Sequence, residues 1–170
     1  MLSDNLFASL VEENNESAFG EIPPQKQWIR SLTSSRYQAI ETIIRHSPFL
    51  TSQFSAFPDI FFKLGSLVWQ IEAQNTIDAI NLSSKSGLNL DQLKAVLRRN
   101  RRRLSLIASL ADICGDWTAI EVSQWLSVFA QKAIETATDY HIDLAVEKGL
   151  LKLGSEDRHG LFILGMGKLG

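Results

Sequence analysis

The residues best placed to do chemistry are the last six, Gly165-Met166-Gly167-Lys168-Leu169-Gly170, directly behind the apolar run Leu161-Phe162-Ile163-Leu164. Glycines at this spacing let a backbone approach phosphate oxygens that a Cβ would keep away, and a neighbouring lysine neutralises phosphate charge. A dinucleotide-binding site would need a strand, this turn, a helix offering its N-terminus to the pyrophosphate, and an acidic residue about twenty positions on. The last two would have to come from residues beyond Gly170, and a long helical stretch precedes the strand that normally opens such a domain. A Walker A loop requires Ser or Thr after the lysine, where Leu169 stands. A tight turn that binds nothing is a further reading.

Other constellations are sparse. His46, His141 and His159 form no H-x-x-x-H pair and read as surface or helix-end residues. In Asp139-Tyr140-His141-Ile142-Asp143 helical geometry turns the imidazole away from both carboxylates. Cys114 is the one cysteine, which excludes an intrachain disulfide and a C-x-x-C pattern. There is no G-x-S-x-G nucleophile and no Asp-x-Asp or Glu-x-Asp pair, so no catalytic residue and no metal ligand are assigned within these residues. The four tryptophans and nine phenylalanines read as core.

The elements that must position the turn are helices. With 170 residues, 45% hydrophobic and 21% charged, the chain has an ordinary soluble composition and the length for one core. No run of eighteen apolar residues occurs and the N-terminus lacks a basic, then apolar, leader, so the cytoplasm is the expected location and no membrane is expected as partner. Ser3 can cap a helix carrying Leu6, Phe7, Leu10 and Val11; Pro24 suits the first turn of another carrying Trp28, Ile29 and Leu32. Ser34 or Ser35 can cap a third with Ile40, Ile43 and Ile44, closed by His46-Ser47-Pro48. Pro48 and Pro58 start two short phenylalanine-rich helices, expected to pack on the longer ones as a lid, and a further helix runs from about Val68 to Leu82. Asn89-x-x-Gln92 is a capping box opening a helix of about seven turns, with a stripe through Leu90, Leu93, Leu97, Leu104, Ile107, Ala111 and Cys114; Gly115 stops it. Thr118-x-x-Glu121 opens the next, with Val122, Trp125, Leu126, Phe129, Ala133, Ala137, Tyr140 and Leu144 on one side and Gly149 at its end. The two make an antiparallel hairpin. Only at 160–164 does the period change to a buried-strand run. The expected fold class is therefore mainly α, a multi-helix N-terminal region with a long antiparallel helical hairpin and one short β-strand at the C-terminus.

Charge is concentrated in one place. Residues 90–103 carry a net charge of +5 and the remainder −7, for −2 overall. Lys94, Arg98, Arg101 and Arg102 share one side of the helix, with Arg101 nearest the stripe through Leu97 and Leu104. They read as a solvated face, as one half of a set of ion pairs to Glu135, Asp139 and Asp143 across the hairpin, or as a docking surface for an acidic partner or phosphate. Nucleic acid is not expected as a partner, because the segment lacks interleaved aromatics and the overall field is not basic.

The block GLFILGMGKLG at 160–170 resembles the start of the catalytic core in the bifunctional glutamine synthetase adenylyltransferase/adenylyl-removing enzymes, a branch of the polymerase-β-like nucleotidyltransferases. LKAVLRRNRRRLSLIASLADICG resembles the arginine-rich helix of the same family through Leu97, Arg98, Arg99, Arg101, Arg103, Ile107, Ala108 and Asp112, the last one position later than the strict spacing. SPF at 47–49 also fits. G-M-G-K-L-G is more like the family's first catalytic copy than its second. The resemblance implies that 1–159 is a helical N-terminal region and 160–170 the first strand and glycine turn of a nucleotidyltransferase domain cut within its first catalytic motif. It implies phosphate or nucleotide binding by Gly165, Gly167, Lys168 and Gly170, with metal carboxylates beyond Gly170. It further implies removal of AMP from adenylylated glutamine synthetase by phosphorolysis, AMP transfer from ATP by a second domain, and control of nitrogen assimilation. Mg²⁺ with phosphate or ATP would be the full-length enzyme's cofactors, none of them bound to this stretch alone, and glutamine synthetase and the PII signalling protein its partners. The competing expectation is a non-catalytic helical module that contacts partners through the basic helix.

Overall fold

A computed structural model of the chain describes residues 36, 38–39, 42–43, 46–64, 68–84, 87–152, 161, 163 and 165. The expected helices around Leu6 and Trp28 lie outside these. Five α-helices follow in order: α1 (Pro48–Ala56), α2 (Pro58–Lys63), α3 (Trp69–Ser84), α4 (Leu90–Ile113) and α5 (Ala119–Glu147). The protein is mainly α. Arg36, Gln38, Ala39, Thr42, Ile43 and His46 are also helical.

The boundaries follow from local chemistry. Ser47 caps α1 by accepting from the Leu50 amide at 3.3 Å, and Pro48 takes the first helical position, where its missing N–H costs nothing. Pro58 then forbids a helical Phe57, which sits at φ −133° and ψ 64° and ends α1. Asn89 and Gln92 form the reciprocal box: the Gln92 amide donates to Asn89 Oδ1 and the Asn89 amide to Gln92 Oε1, both at 3.0 Å. At the other end of α4, Gly115 takes φ +74°; its amide donates to Asp112 O and that of Asp116 to Ala111 O, each at 2.9 Å. This is the left-handed glycine stop, and Gly149 repeats it at φ +68° with the Leu150 amide on Ala145 O.

The chain falls into two compact units, one of residues 1–72 and 106–118, the other of 73–105 and 119–170. In the first, Ile43, Phe57, Ile60, Leu64, Ile107 and Leu110 are all but inaccessible. The two short helices thus supply core residues. In the second, Ala73, Ile77, Ile80, Leu93, Leu104 and Phe129 are buried. Residues 90–105 of α4 share this unit with all of α5.

Three expectations need correction. Leu126 is 39% exposed, while Thr136, which the apolar reading passed over, is buried at 3%. The inward line of α5 runs through Phe129 and Thr136, seven residues apart and so nearly superposed on a helix. On α4 the buried line includes Asn100, which satisfies its amide by donating to Val96 O at 3.1 Å. That moves the inward face toward Arg103, which is partly covered, and leaves Arg101 exposed. Finally, Leu161, Ile163 and Gly165, the described members of the C-terminal run, are in no strand. A segment becomes a strand through a ladder with a neighbour, and no described residue supplies one.

Candidate functional site

In the second unit α5 turns a mixed face, Ser127, Gln131, Ile134, Glu135, Thr138 and Asp139, toward Leu161, Ile163 and Gly165. Between them lies a groove of about 450 Å³, within the usual range for a small-molecule cleft. Its polar wall is ordered by hydrogen bonds along the helix. Gln131 Nε2 donates to Glu135 Oε1 at 3.0 Å, and Lys132 Nζ to Glu135 Oε2 at 3.2 Å. The Gln131 bond first, then that from Lys132, holds the Glu135 carboxyl below the usual carboxylate range. Glu135 thus finds partners four and three residues before it on its own helix, not on the basic helix it was expected to meet.

Of the four residues expected at a phosphate, Gly165 is described and borders this groove. Gly167, Lys168 and Gly170 lie outside the described residues. Lys94, Arg98, Arg101 and Arg102 are all exposed on α4. Lys94 Nζ lies 3.7 Å from Asp91 Oδ1, a solvent-facing pair that contributes little. His46 and His141 are exposed, the latter edge-on to Tyr140 with ring centroids 5.6 Å apart. Among the described residues no group of three or more His, Cys, Asp or Glu could hold a metal. The described carboxylates therefore do not fit a Mg²⁺ site, and no step is routed through one.

The first unit contains a cluster that sequence reasoning missed. Asp116 Oδ2 accepts from Trp69 Nε1 at 2.5 Å and from Arg36 Nε and Nη2 at 3.4 Å each. Arg36 Nη1 also donates to Leu64 O at 2.7 Å, and its guanidinium lies 4.8 Å from the Trp69 ring centroid, within cation–π range. The partners are 28 to 80 residues apart in sequence. The available signal was Asp116 next to a helix-stopping glycine, a position where a side chain is aimed by the turn. The cluster ties three segments together; it offers no nucleophile.

Cys114 stands beside it, and desolvation, then the Asp116 charge, pushes its thiol up to about 11 from 9.0, while Arg36 opposes the rise. The folded chain therefore holds this proton more tightly than the unfolded chain. The associated stability is fully present below pH 9, and is lost as pH rises toward 11. Alkylation of Cys114 by iodoacetamide at pH 8 is expected to run slower in the folded protein than in urea, with the two rates converging as pH approaches 11. Equal rates at pH 8 would show an ordinary thiol.

The family model described as glutamate-ammonia ligase adenylyltransferase matches residues 34–170. The chain belongs to that family. A bifunctional glutamine synthetase adenylyltransferase/adenylyl-removing enzyme of Bartonella quintana is 32% identical over 136 residues, covering 77% of this chain and 14% of that protein. Its counterpart in Agrobacterium fabrum is 39% identical over 84 residues, covering 47% of this chain and 8% of that protein. That in Bartonella henselae is 29% identical over 164 residues, covering 94% and 16%. The chain thus spans about one-seventh of the length of these relatives. No solved structure matches it. The resemblance carried by the glycine turn and the arginine-rich helix is borne out at the level of the family.

Proposed function

We propose that this chain is the helical region leading into the first catalytic centre of an enzyme that removes AMP from adenylylated glutamine synthetase by phosphorolysis, releasing ADP. One observation carries the reading: the family match runs through residue 170 and so takes in the whole glycine turn. Backbone amides at Gly165, Gly167 and Gly170 would approach phosphate oxygens closely, and Lys168 would offset the charge that builds on them during transfer. Mg²⁺, when bound in such enzymes, organises the attacking and leaving oxygens; its ligands are sought outside the described residues. AMP transfer from ATP would belong to a second catalytic copy, and PII and glutamine would set the balance between the two reactions in the cytoplasm.

The test is a phosphate-dependence assay on the gene's full-length product, supplied with Mg²⁺ and adenylylated glutamine synthetase. ADP released only when inorganic phosphate is present is the expected outcome. A folded, full-length protein that transfers AMP from ATP yet never releases ADP would move this turn to the adenylylating copy and overturn the assignment.

A further inference from the structure

Helix α5 has more to bury than these residues cover. Of its 29 residues, Phe129 and Thr136 alone are buried, although a helix in a protein draws most of its stability from a packed face. Those two mark one side. Ser127, Gln131, Ile134 and Thr138, at i, i+4, i+7 and i+11, form a stripe half a turn round from them, and this stripe is the helical wall of the groove. Ile120, one heptad before Ser127, continues the stripe and is 70% exposed. Across the groove Leu161 and Ile163 keep 55% and 49% of their surface in water. Apolar side chains on both walls thus border a space of about 450 Å³.

We infer that this groove is the seat of the polypeptide that directly follows Gly170 in the full-length product. The occupant is an amphipathic segment, with apolar residues against Ile134, Leu161 and Ile163 and a lysine or arginine against Asp139. Family members have the chain to supply it: this one spans about one-seventh of the length of its curated relatives, and the family match continues to its last residue. Gly165 borders the groove only five residues before Gly170. A segment just past Gly170 therefore closes a shorter loop than any later part of the enzyme, and closure costs less the shorter the loop. Charge completes the choice. Glu135 and Asp139 line the groove and no lysine or arginine does. Glu135 is engaged by Gln131 and Lys132, whereas Asp139, exposed one turn further on, has no hydrogen bond or ion pair with a described residue. An anion inside the groove would face both carboxylates, and a second copy docked by the same face would present the same two. Family membership alone underlies this seat, so a failure of the phosphorolysis reading leaves it standing.

The full-length product is made with Gln131→p-benzoylphenylalanine, an exposed position on the groove wall, irradiated, digested and mapped by mass spectrometry. Intramolecular cross-links are expected to residues within about 150 positions past Gly170, roughly one domain. The same probe at Asp143, exposed and turned well away from the stripe, should not give them. Asp139→Lys should lower their yield by roughly half or more. Links only to a later part of the chain, to a second copy or to a copurifying protein would each overturn the inference, as would no links at all or a yield unchanged by Asp139→Lys. If the probe at Gln131 unfolds the protein, hydroxyl-radical footprinting of the unmodified full-length product takes its place. Leu161 and Ile163 should then be modified as slowly as the inaccessible Leu104 and Ile107, and modification as fast as in urea would overturn the seat.

Discussion

Ile107→Ala is expected to lower the unfolding free energy by about 2–5 kcal/mol, while Leu126→Ala stays within about 0.5 kcal/mol of the parent. For a chain of this length the first should depress the melting midpoint by on the order of 10 °C, the second by about 1 °C. The two were read from sequence as equivalent members of apolar stripes. They differ in surroundings: Ile107 is fully inaccessible and its neighbours Leu104, Leu106, Leu110 and Ala111 are too, whereas Leu126 keeps 39% of its surface in water. Removing methyl groups from Ile107 leaves a cavity among fully buried neighbours that cannot readily collapse around it. Circular dichroism melts with a urea series for each variant provide the check. Equal midpoint shifts would mean that the core is not centred on the second half of α4.

The Asp116→Ala substitution should cost about 2–3 kcal/mol, because it strands the Trp69 indole N–H and takes the carboxylate from the Arg36 guanidinium, which keeps its bond to Leu64 O. Asp116 is 38% exposed and Arg36 16%, so solvent moderates the ion pair itself. The weight falls on Trp69, which is 3% exposed. Asp112→Ala, one turn earlier and exposed, should leave stability within about 0.5 kcal/mol. A double-mutant cycle with Arg36→Met separates the guanidinium's share from the indole's. If Asp116→Ala and Asp112→Ala melt together, the cluster contributes nothing and the fold is held by apolar contacts alone.

What could be read in the sequence was local. The Asn89/Gln92 box, the proline starts at 48 and 58, and the glycine stops at 115 and 149 each depend on residues within five positions of one another, and each stands where expected. Periodicity also found the inward side of α4, but as a single stripe. Between Leu104 and Ala111 only Ser105 and Ser109 are half-buried, and Leu106, Ala108 and Leu110 are as buried as the stripe itself. Which side of a helix is covered by a second neighbour is a tertiary fact that no period encodes. Thr136 illustrates the converse: a polar letter placed one heptad from Phe129 was passed over because hydropathy, not position, was being counted.

The candidate site divides along the same line. The glycine turn and the basic stripe are contiguous motifs, so both could be singled out from the sequence as candidates for phosphate or anion contact. The groove wall on α5 was illegible, since Ser127, Gln131 and Thr138 lie more than twenty residues before Gly165 and share no motif with it. The Arg36–Trp69–Asp116 cluster was illegible for the same reason, its members being 47 and 80 residues apart.

The glycines that stop α4 and α5 carry one more implication. Around the position a Cβ would take at Gly115 and at Gly149 there is nothing within 4 Å, yet both residues hold φ near +70°. Bulk is therefore not what bars a side chain there; handedness is. A D-alanine built in by chemical synthesis would be at ease in that left-handed geometry, with fewer unfolded conformations to lose than glycine has, while its mirror image, L-alanine, would be strained in the same open space.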